Sequence, residues 1–272
     1  MERGKVKVMD ILEAKGLTFK VHHKELIRKV DVSIVEGEFC AIIGPNGAGK
    51  TTLLNLLNGD LKAQLGEIKF SNQILDSIDL LTLSRKRAVL PQLSHIPFSI
   101  KVFDIVNLGR EPYRYEISKQ YNQAVVLDCL QKMGIEHLAE HYYATLSGGE
   151  QHRVQIARTL AQLYETVDSD LKGKVLFLDE PTNHLDIHHQ YNLMVLLKKL
   201  QQKGLTIVAV MHDLSLTLQF AEQIILLQAG KKFGNYNPDE LVNSDALSTV
   251  YHMTMNILWN DQFKRYLVIP TL

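Results

Sequence analysis

The glycine-rich segment GPNGAGKT, residues 44–51, constrains this chain more than any other stretch, because it directly follows the apolar run FCAII. It fits the pattern G-x-x-x-x-G-K-[ST], whose glycines adopt backbone angles closed to other residues and turn successive amides inward. Leu53 and Leu57 then keep helical spacing as far as Gly59, a residue that ends helices. The sequence predicts a buried strand, a loop that wraps a polyphosphate, and a helix whose N-terminus points at the phosphates.

The residues predicted to contact the triphosphate are those of the loop and of the first helical turn. They are Gly44, Pro45, Asn46, Gly47, Ala48, Gly49, Lys50, Thr51 and Thr52. Lys50 is expected to reach the β- and γ-phosphates, and Thr51 is expected to ligate magnesium. A glycine-rich turn that binds nothing is the alternative, and the flanking strand and helix patterns argue against it.

A second apolar run, KVLFLDE at residues 174–180, ends in two carboxylates. Such a run is typical of a buried parallel strand whose carboxyl end opens into a site. Asp179 is predicted to hold magnesium through its water shell, and Glu180 to orient or deprotonate the attacking water. An isolated Asp-Glu pair after a strand is usually a solvated turn, but the preceding phosphate loop favours the catalytic interpretation here.

The segment LSGGEQHRVQIARTL, residues 146–160, has the pattern of a capped amphipathic helix. Ser147 is predicted as the N-cap, and Val154, Ala157 and Leu160 are predicted to lie along the helix. Exposed amides at the start of such a helix would suit an anion. A capped helix without any ligand would have the same spacing, so this segment by itself leaves both interpretations open.

In chain order, the phosphate loop, the LSGGE segment and the strand ending in Asp-Glu resemble the motifs of ABC transporter nucleotide-binding subunits. The resemblance covers nearly the whole chain. In that family two cassettes pair head to tail, and LSGGE of one closes over the ATP held by the other. The resemblance therefore implies a homodimer in which Ser147, Gly148 and Gly149 contact ATP in trans.

Three shorter matches complete the resemblance: Gln92 in VLPQ to the Q-loop, NHLD at residues 183–186 to the D-loop, and His212 in VAVMHD to the switch histidine. Gln92 is expected to touch the magnesium shell and to report γ-phosphate occupancy to a helical subdomain. His212 is expected to hydrogen-bond the γ-phosphate, and Asp186 is the retained D-loop aspartate. The family's adenine-stacking aromatic aligns with Val21, and three nearby side chains stay open as substitutes: Phe19, His22 and His23.

The composition is that of a globular chain with one large core, since 46% of its 272 residues are apolar and 22% are charged. Lys and Arg together number 30, as do Asp and Glu, so the basic excess of a nucleic-acid binder is absent and no nucleic-acid partner is expected. No apolar run approaches the roughly 18 residues that cross a bilayer, and the start MERGKVKVMD lacks the apolar centre of a signal peptide. We expect the chain to stay in the cytoplasm.

Cysteines and histidines offer alternative chemistry. Cys40 and Cys129 have no metal-ligand spacing and are predicted to be small buried hydrophobes. Among eleven histidines, His184, His188 and His189 could form a metal or haem site, because two of them are four residues apart. No cysteine or further clear ligand accompanies them, and a subunit contact is the simpler role for His184.

The pattern of elements predicts an α/β fold, a P-loop NTPase (RecA-like) core with a mainly parallel sheet, an N-terminal antiparallel β region and an inserted α-helical subdomain. The core is assigned to residues 5–91 and 165–235, and the helical subdomain with LSGGE to residues 92–164. The polar linker at 164–173 is predicted to be an exposed loop, and residues 236–272 a helical then extended tail.

The resemblance is strongest to the metal-chelate importers, and within that group to haem importers, on TLSGGEQHRVQIARTLAQL and the extra polar linker before Asp179. It implies ATP and Mg²⁺ as cofactors, two transmembrane permease subunits, an indirect periplasmic binding-protein partner, and a peripheral position on the cytoplasmic face of the inner membrane. Ferric siderophore or cobalamin import is the alternative. A soluble ABC ATPase acting on ribosomes or DNA is disfavoured, because the chain has one set of motifs and no sustained heptads.

Overall fold

Long antiparallel strands open the part of the chain that the computed structural model describes, which is residues 9–90 and 99–271. Strand β1 (Asp10–Val21) pairs with β2 (Lys24–Val35) on one side and with β4 (Leu65–Phe70) on the other, and β4 pairs with the short β5 (Gln73–Ile74). Alternate residues at the end of β2 are buried, as expected for a sheet with one face on the core. This is the predicted antiparallel region.

The apolar run before the phosphate loop forms β3 (Phe39–Ile43), and all five of its residues are buried. It pairs parallel with β9 (Gln223–Gln228), which pairs antiparallel with β10 (Lys231–Tyr236). Helix α1 (Lys50–Leu57) follows the loop and ends before Gly59, which has a φ of 81°. The predicted order of strand, loop and helix is therefore confirmed.

Helices and a hairpin complete the C-terminal part of the chain. They are α7 (Leu214–Phe220), α8 (Pro238–Val242), α9 (Ala246–Tyr251), β11 (Thr254–Asn260) and β12 (Arg265–Thr271). β11 and β12 pair antiparallel, and the Val268 amide donates to Ser215 Oγ of α7 at 3.4 Å. The segment after residue 236 is thus helical first and extended afterwards.

Three further strands pair in parallel: β6 (Arg87–Leu90), β7 (Val175–Asp179) and β8 (Thr206–Val210). β8 is buried throughout, and β7 is buried up to its last residue, Asp179. Continuous apolar runs of this kind suit parallel strands that are covered on both faces. Together with β3 and β9 they confirm the mainly parallel sheet strands that the sequence predicted.

Helices dominate the described residues between β5 and β8. They are α2 (Leu80–Lys86) before β6, then α3 (Val102–Leu108), α4 (Lys119–Lys132), α5 (Gly148–Leu163) and α6 (Ile187–Gln202). α4 buries Val125, Val126, Cys129 and Leu130, and burial raises the pKa of the Cys129 thiol to about 12. Cys129 is thus the small buried hydrophobe that was predicted, as is Cys40 in β3.

The linker at residues 164–173 is only partly the exposed loop that the sequence predicted. Its middle is exposed, but Tyr164 is 2% exposed and Leu171 is 1% exposed. The buried Arg110 guanidinium donates to the carbonyl oxygens of Tyr164 and Glu165, and Asn122 accepts from its Nε at 2.8 Å. The linker is therefore anchored at both ends, because Tyr164 and Leu171 are buried and the Arg110 guanidinium holds its first carbonyl groups. The polar composition of the linker does not indicate these contacts.

The chain divides into two compact units, one of residues up to Ile78 with those from His212 onward, the other of Asp79–Met211. The first holds the antiparallel region, β3, the phosphate loop and the C-terminal elements; the second holds β6 to β8 and the helices from α2 to α6. Within residues 9–90 and 99–271, no helix combines the length and apolar character needed to span a bilayer.

Candidate functional site

The phosphate loop owes its shape to glycines whose positive φ values other residues rarely adopt, and two of these glycines also have no room for a Cβ. Gly44, Gly47 and Gly49 have φ values of 149°, 77° and 99°. A Cβ on Gly44 would lie 2.3 Å from the Leu227 carbonyl oxygen at the end of β9, and one on Gly49 would lie 2.6 Å from the Leu26 carbonyl oxygen of β2. The loop is therefore fixed against the backbone of two strands, and backbone atoms yield less readily than side-chain ends.

Replacing Gly44 by alanine is expected to lower the free energy of unfolding by about 2–4 kcal/mol, because the left-handed backbone is strained for alanine and the Leu227 oxygen blocks its Cβ. Chemical denaturation of the purified variant measures this. Gly148→Ala is the control, since a Cβ there meets nothing within 4 Å and the expected change is within about 0.5 kcal/mol. Equal losses in the two variants would contradict the close approach at Gly44.

The loop gathers backbone amides and one buried cation. Lys50 is 7% exposed, and its Nζ donates to the Gly44 and Pro45 carbonyl oxygens at 3.0 and 3.2 Å. The Ala48 amide donates to the Pro45 oxygen at 3.1 Å, and the Gly230 amide donates to the Ala48 oxygen at 3.0 Å. The Lys50 ammonium gives the loop a positive charge, and the backbone hydrogen bonds of Ala48 and Gly230 hold its shape. Such a loop is suited to a polyanion.

The remaining predicted loop residues differ in exposure. Asn46 and Gly47 are exposed at the tip of the loop, and Thr51 and Thr52 are half-buried in the first turn of α1. The N-cap of α1 is Gly49, which has no side chain to cap the first amides. Amides at the start of a helix that lack an intrahelical partner are available to an anion.

Tyr251 of α9 is a site neighbour that the sequence did not reveal. Burial raises the pKa of its phenol above the usual value, and a hydrogen bond with the Gly44 backbone offsets only part of that rise. The C-terminal segment thus reaches the first glycine of the phosphate loop. A lone tyrosine far along the chain, with no motif around it, carries no sequence signal for such a contact.

The two carboxylates at the end of β7 lie as predicted at the carboxyl end of a buried parallel strand. Asp179 is half-buried and lies opposite Val210 of β8, whose carbonyl accepts from the Glu180 amide at 3.2 Å. Glu180 has a φ of 51°, and Pro181 follows it. A left-handed conformation at a non-glycine residue costs about 1–3 kcal/mol, and this kind of strain clusters at functional sites.

Asn183 fixes Glu180 from within the same loop. The side-chain Nδ2 of Asn183 donates to the Glu180 carboxylate, and the backbone amide of Asn183 donates to the Glu180 carbonyl oxygen at 3.1 Å. An oriented carboxylate at a strand end can accept a proton from a water molecule within hydrogen-bond reach. The Thr51 hydroxyl and the Asp179 carboxylate each carry oxygen atoms of the type that Mg²⁺ prefers as ligands, so each side chain is chemically suited to the predicted metal.

His212 and Gln92 were the other predicted catalytic side chains. His212 is exposed and comes two residues after the end of β8. The next residue, Asp213, is the N-cap of α7 and accepts from the Leu216 amide at 2.9 Å. Gln92 lies outside the described residues.

Ser147 is the N-cap of α5, as predicted from the sequence. The Glu150 amide donates to Ser147 Oγ at 3.4 Å, and the Ser147 amide and hydroxyl donate to Glu150 Oε2 at 2.8 and 2.7 Å. This is a capping box, which satisfies two orphan donors reciprocally. Ser147 and Gly148 are exposed and Gly149 is half-buried, so the helix start presents small residues to solvent.

Asp186, the predicted D-loop aspartate, begins α6. It accepts from the His189 amide at 2.8 Å and contacts His189 Nδ1 at 2.8 Å, and these hydrogen bonds lower the pKa of the carboxyl group. His188 Nε2 lies 2.9 Å from Asn192 Nδ2. Asp186 is therefore also a helix cap, and both neighbouring histidines have local partners.

The phosphate loop and the parallel strands define the class of P-loop nucleoside triphosphatases. The sequence profile of the ABC transporter family matches residues 27–183. A hemin import ATP-binding protein of Escherichia coli O157:H7 is 37% identical over 249 residues, 91% of this chain and 94% of its own. A hemin import ATP-binding protein of Gloeobacter violaceus is 34% identical over 260 residues, 96% of this chain and 94% of its own. The chain belongs to the ABC transporter family.

Solved structures agree with this assignment. A metal-chelate type ABC transporter in an inward-facing conformation matches with a TM-score of 0.79 and 25% identity over 97% of this chain and 98% of that one. A dimeric ATP-binding cassette in a post-hydrolysis state, bound to ADP and Pi, matches with a TM-score of 0.73 and 31% identity over 84% and 98%. The chain is thus an ATPase whose hydrolysis of ATP is coupled to transport.

Proposed function

We propose that this chain is the ATP-hydrolysing subunit of a bacterial haem importer. The observation that carries the proposal is similarity along almost the full length to proteins named for hemin import, with 37% identity over 91% of the chain in one and 34% over 96% in another. The match to a metal-chelate type transporter supports the broader group.

In this proposal the loop residues from Gly44 to Thr52 bind the triphosphate. The amides wrap the phosphates, and the Lys50 ammonium neutralises their β and γ oxygens. Thr51, Asp179 and Gln92 would hold Mg²⁺, which would supply positive charge beside the phosphates when bound.

Hydrolysis in this proposal depends on Glu180 and His212. The Glu180 carboxylate takes a proton from the attacking water, and the imidazole of His212 hydrogen-bonds the γ-phosphate. The fixed orientation of the Glu180 side chain by Asn183 supports the first role, because a general base must be held within hydrogen-bond reach of its proton.

The assembly proposed is a homodimer of cassettes with two permease subunits and, indirectly, a periplasmic binding protein. Ser147, Gly148, Gly149 and Asp186 of one copy act on the ATP of the other, which the exposed capped start of α5 supports. Residues 92–164 form the helical subdomain that moves relative to a core of 5–91 and 165–235, and residues 236–272 form the tail. The complex places this chain on the cytoplasmic face of the inner membrane.

Reconstitution of this chain with its transmembrane permease subunits tests the substrate. We expect ATP-dependent uptake of haem into proteoliposomes, measured by haem absorbance, and stimulation of ATP hydrolysis by haem-loaded binding protein. A ferric siderophore and cobalamin are the matched competitors. Uptake of either one without haem uptake would refute the haem assignment and leave the ATPase assignment intact.

A further inference from the structure

His152 is a buried polar residue on the first turns of α5 with no role in the site described so far. It is 5% exposed, and its Nε2 lies 2.7 Å from the Pro181 carbonyl oxygen. A carbonyl oxygen only accepts, so Nε2 carries the proton and donates. Nδ1 is buried and has no hydrogen-bond partner among the residues that the structure describes. Burial lowers the pKa of the imidazole, which keeps it neutral.

Pro181 directly follows Glu180, so the hydrogen bond from His152 acts on the backbone next to the proposed base. Glu180 is in the left-handed region with a φ of 51°, and a following proline restricts the backbone further. Strained conformations of this kind persist only where surrounding contacts impose them. The loop after β7 therefore needs hydrogen bonds from outside itself.

Two helices supply those hydrogen bonds to the carbonyls of the loop. Gln190 Nε2 of α6 donates to the Thr182 and Leu185 oxygens at 3.2 and 3.0 Å. The Pro181 oxygen, nearer to Glu180, accepts from His152 of α5. The part of the loop closest to the carboxylate is thus held by the helix that begins at Ser147.

The start of α5 approaches the same loop at a second point. A Cβ on Gly149 would lie 3.1 Å from the His184 carbonyl oxygen. The rings of His152 and His184 lie edge to face, with centroids 6.5 Å apart and planes at 65°. The start of α5 therefore contacts the loop at two points, at Gly149 and, one turn later, at His152.

We propose that His152 is a positioning residue that holds the Pro181 carbonyl, fixes the direction of the Glu180 carboxylate and links it mechanically to the N-terminus of α5. The inference rests on the proposed role of Glu180 as the base. A shift of the start of α5 then changes the direction of the carboxylate, because His152 is hydrogen-bonded to the carbonyl of the residue that directly follows Glu180.

Three variants of the full chain test this link: His152→Leu, His152→Gln and Gln155→Leu. His152→Leu is expected to lower kcat roughly 10- to 100-fold, with the Kd for ATP within about twofold of the wild type, since only orientation is lost. The amide of glutamine can donate to the Pro181 oxygen, so His152→Gln is expected to recover kcat to within about threefold of the wild type. Gln155 is buried on the same helix but donates to Tyr143 Oη at 3.1 Å, so its leucine variant is expected to keep kcat.

The measurements are kcat, the Kd for ATP and the melting temperature. Wild-type kcat in His152→Leu would overturn the proposal, as would a parallel loss of ATP binding or melting temperature, which indicates a merely structural role. Failure of His152→Gln to recover kcat would also overturn it. Glu180→Gln is measured alongside: turnover retained in that variant refutes the proposed base, whereas turnover lost there but kept in His152→Leu refutes only the link.

Discussion

Glu180→Gln is expected to reduce ATP turnover by roughly 10²- to 10⁴-fold while ATP still binds, because an amide cannot take the proton of the attacking water. The shape of the site should survive. In the wild type, Asn183 Nδ2 donates to the Glu180 carboxylate. In the variant, the amide oxygen of the new glutamine can accept the same hydrogen bond. The variant is therefore expected to accumulate as an ATP-bound closed dimer.

Phosphate release, equilibrium ATP binding and size-exclusion chromatography in ATP measure the three expected effects. Glu136→Gln is the matched control, because Glu136 is exposed on a short 3₁₀ turn and has no proposed role in hydrolysis. It should turn over ATP as the wild type does. Turnover at the wild-type rate in Glu180→Gln would remove Glu180 from the mechanism.

Ser147→Arg is expected to abolish cooperative hydrolysis while a single copy still binds ATP with its own phosphate loop. Ser147 is exposed at the start of α5, so an arginine there would project from the helix tip toward the proposed second copy. The substitution also removes the N-cap, which costs about 1 kcal/mol. That loss alone is too small to unfold the chain.

Ser147→Ala separates the two effects, because alanine removes the cap without adding bulk. We expect it to lose a similar amount of stability and to retain much more hydrolysis than the arginine variant. Hydrolysis rates plotted against protein concentration, together with ATP binding, make the comparison. Normal cooperative hydrolysis by Ser147→Arg would contradict the trans arrangement of the LSGGE segment.

Local patterns identified most of the site's elements, because each depends on residues only a few positions apart. The glycine spacing from Gly44 to Gly49 predicted the loop, and the run of apolar residues before Asp179 predicted the buried strand. The order of these motifs along the chain predicted the family, which the profile match confirmed. The roles of individual side chains in hydrolysis stay predictions.

The polar linker shows where this reasoning is insufficient. Its composition predicted an exposed loop, yet Tyr164 and Leu171 are buried and Arg110 holds its first carbonyls. Nothing in the spacing of VNLGREP indicates that its arginine is buried against a segment far along the chain. A buried cation is stabilised by its complete set of acceptors, and that set exists only after packing.

The sequence by itself determined the elements that short-range geometry encodes, namely the glycine turns of the phosphate loop, the capping box of Ser147 with Glu150, and the apolar periods of the strands and helices. Only the tertiary structure decided which distant residues contact these elements. The Leu227 carbonyl lies close to Gly44, and the Gly44 backbone is hydrogen-bonded to Tyr251. His152 is hydrogen-bonded to the Pro181 oxygen, 29 positions away. The physical reason is that backbone conformation and capping are set by neighbours in sequence. Close approach and hydrogen bonding between distant segments are set by how the whole core packs.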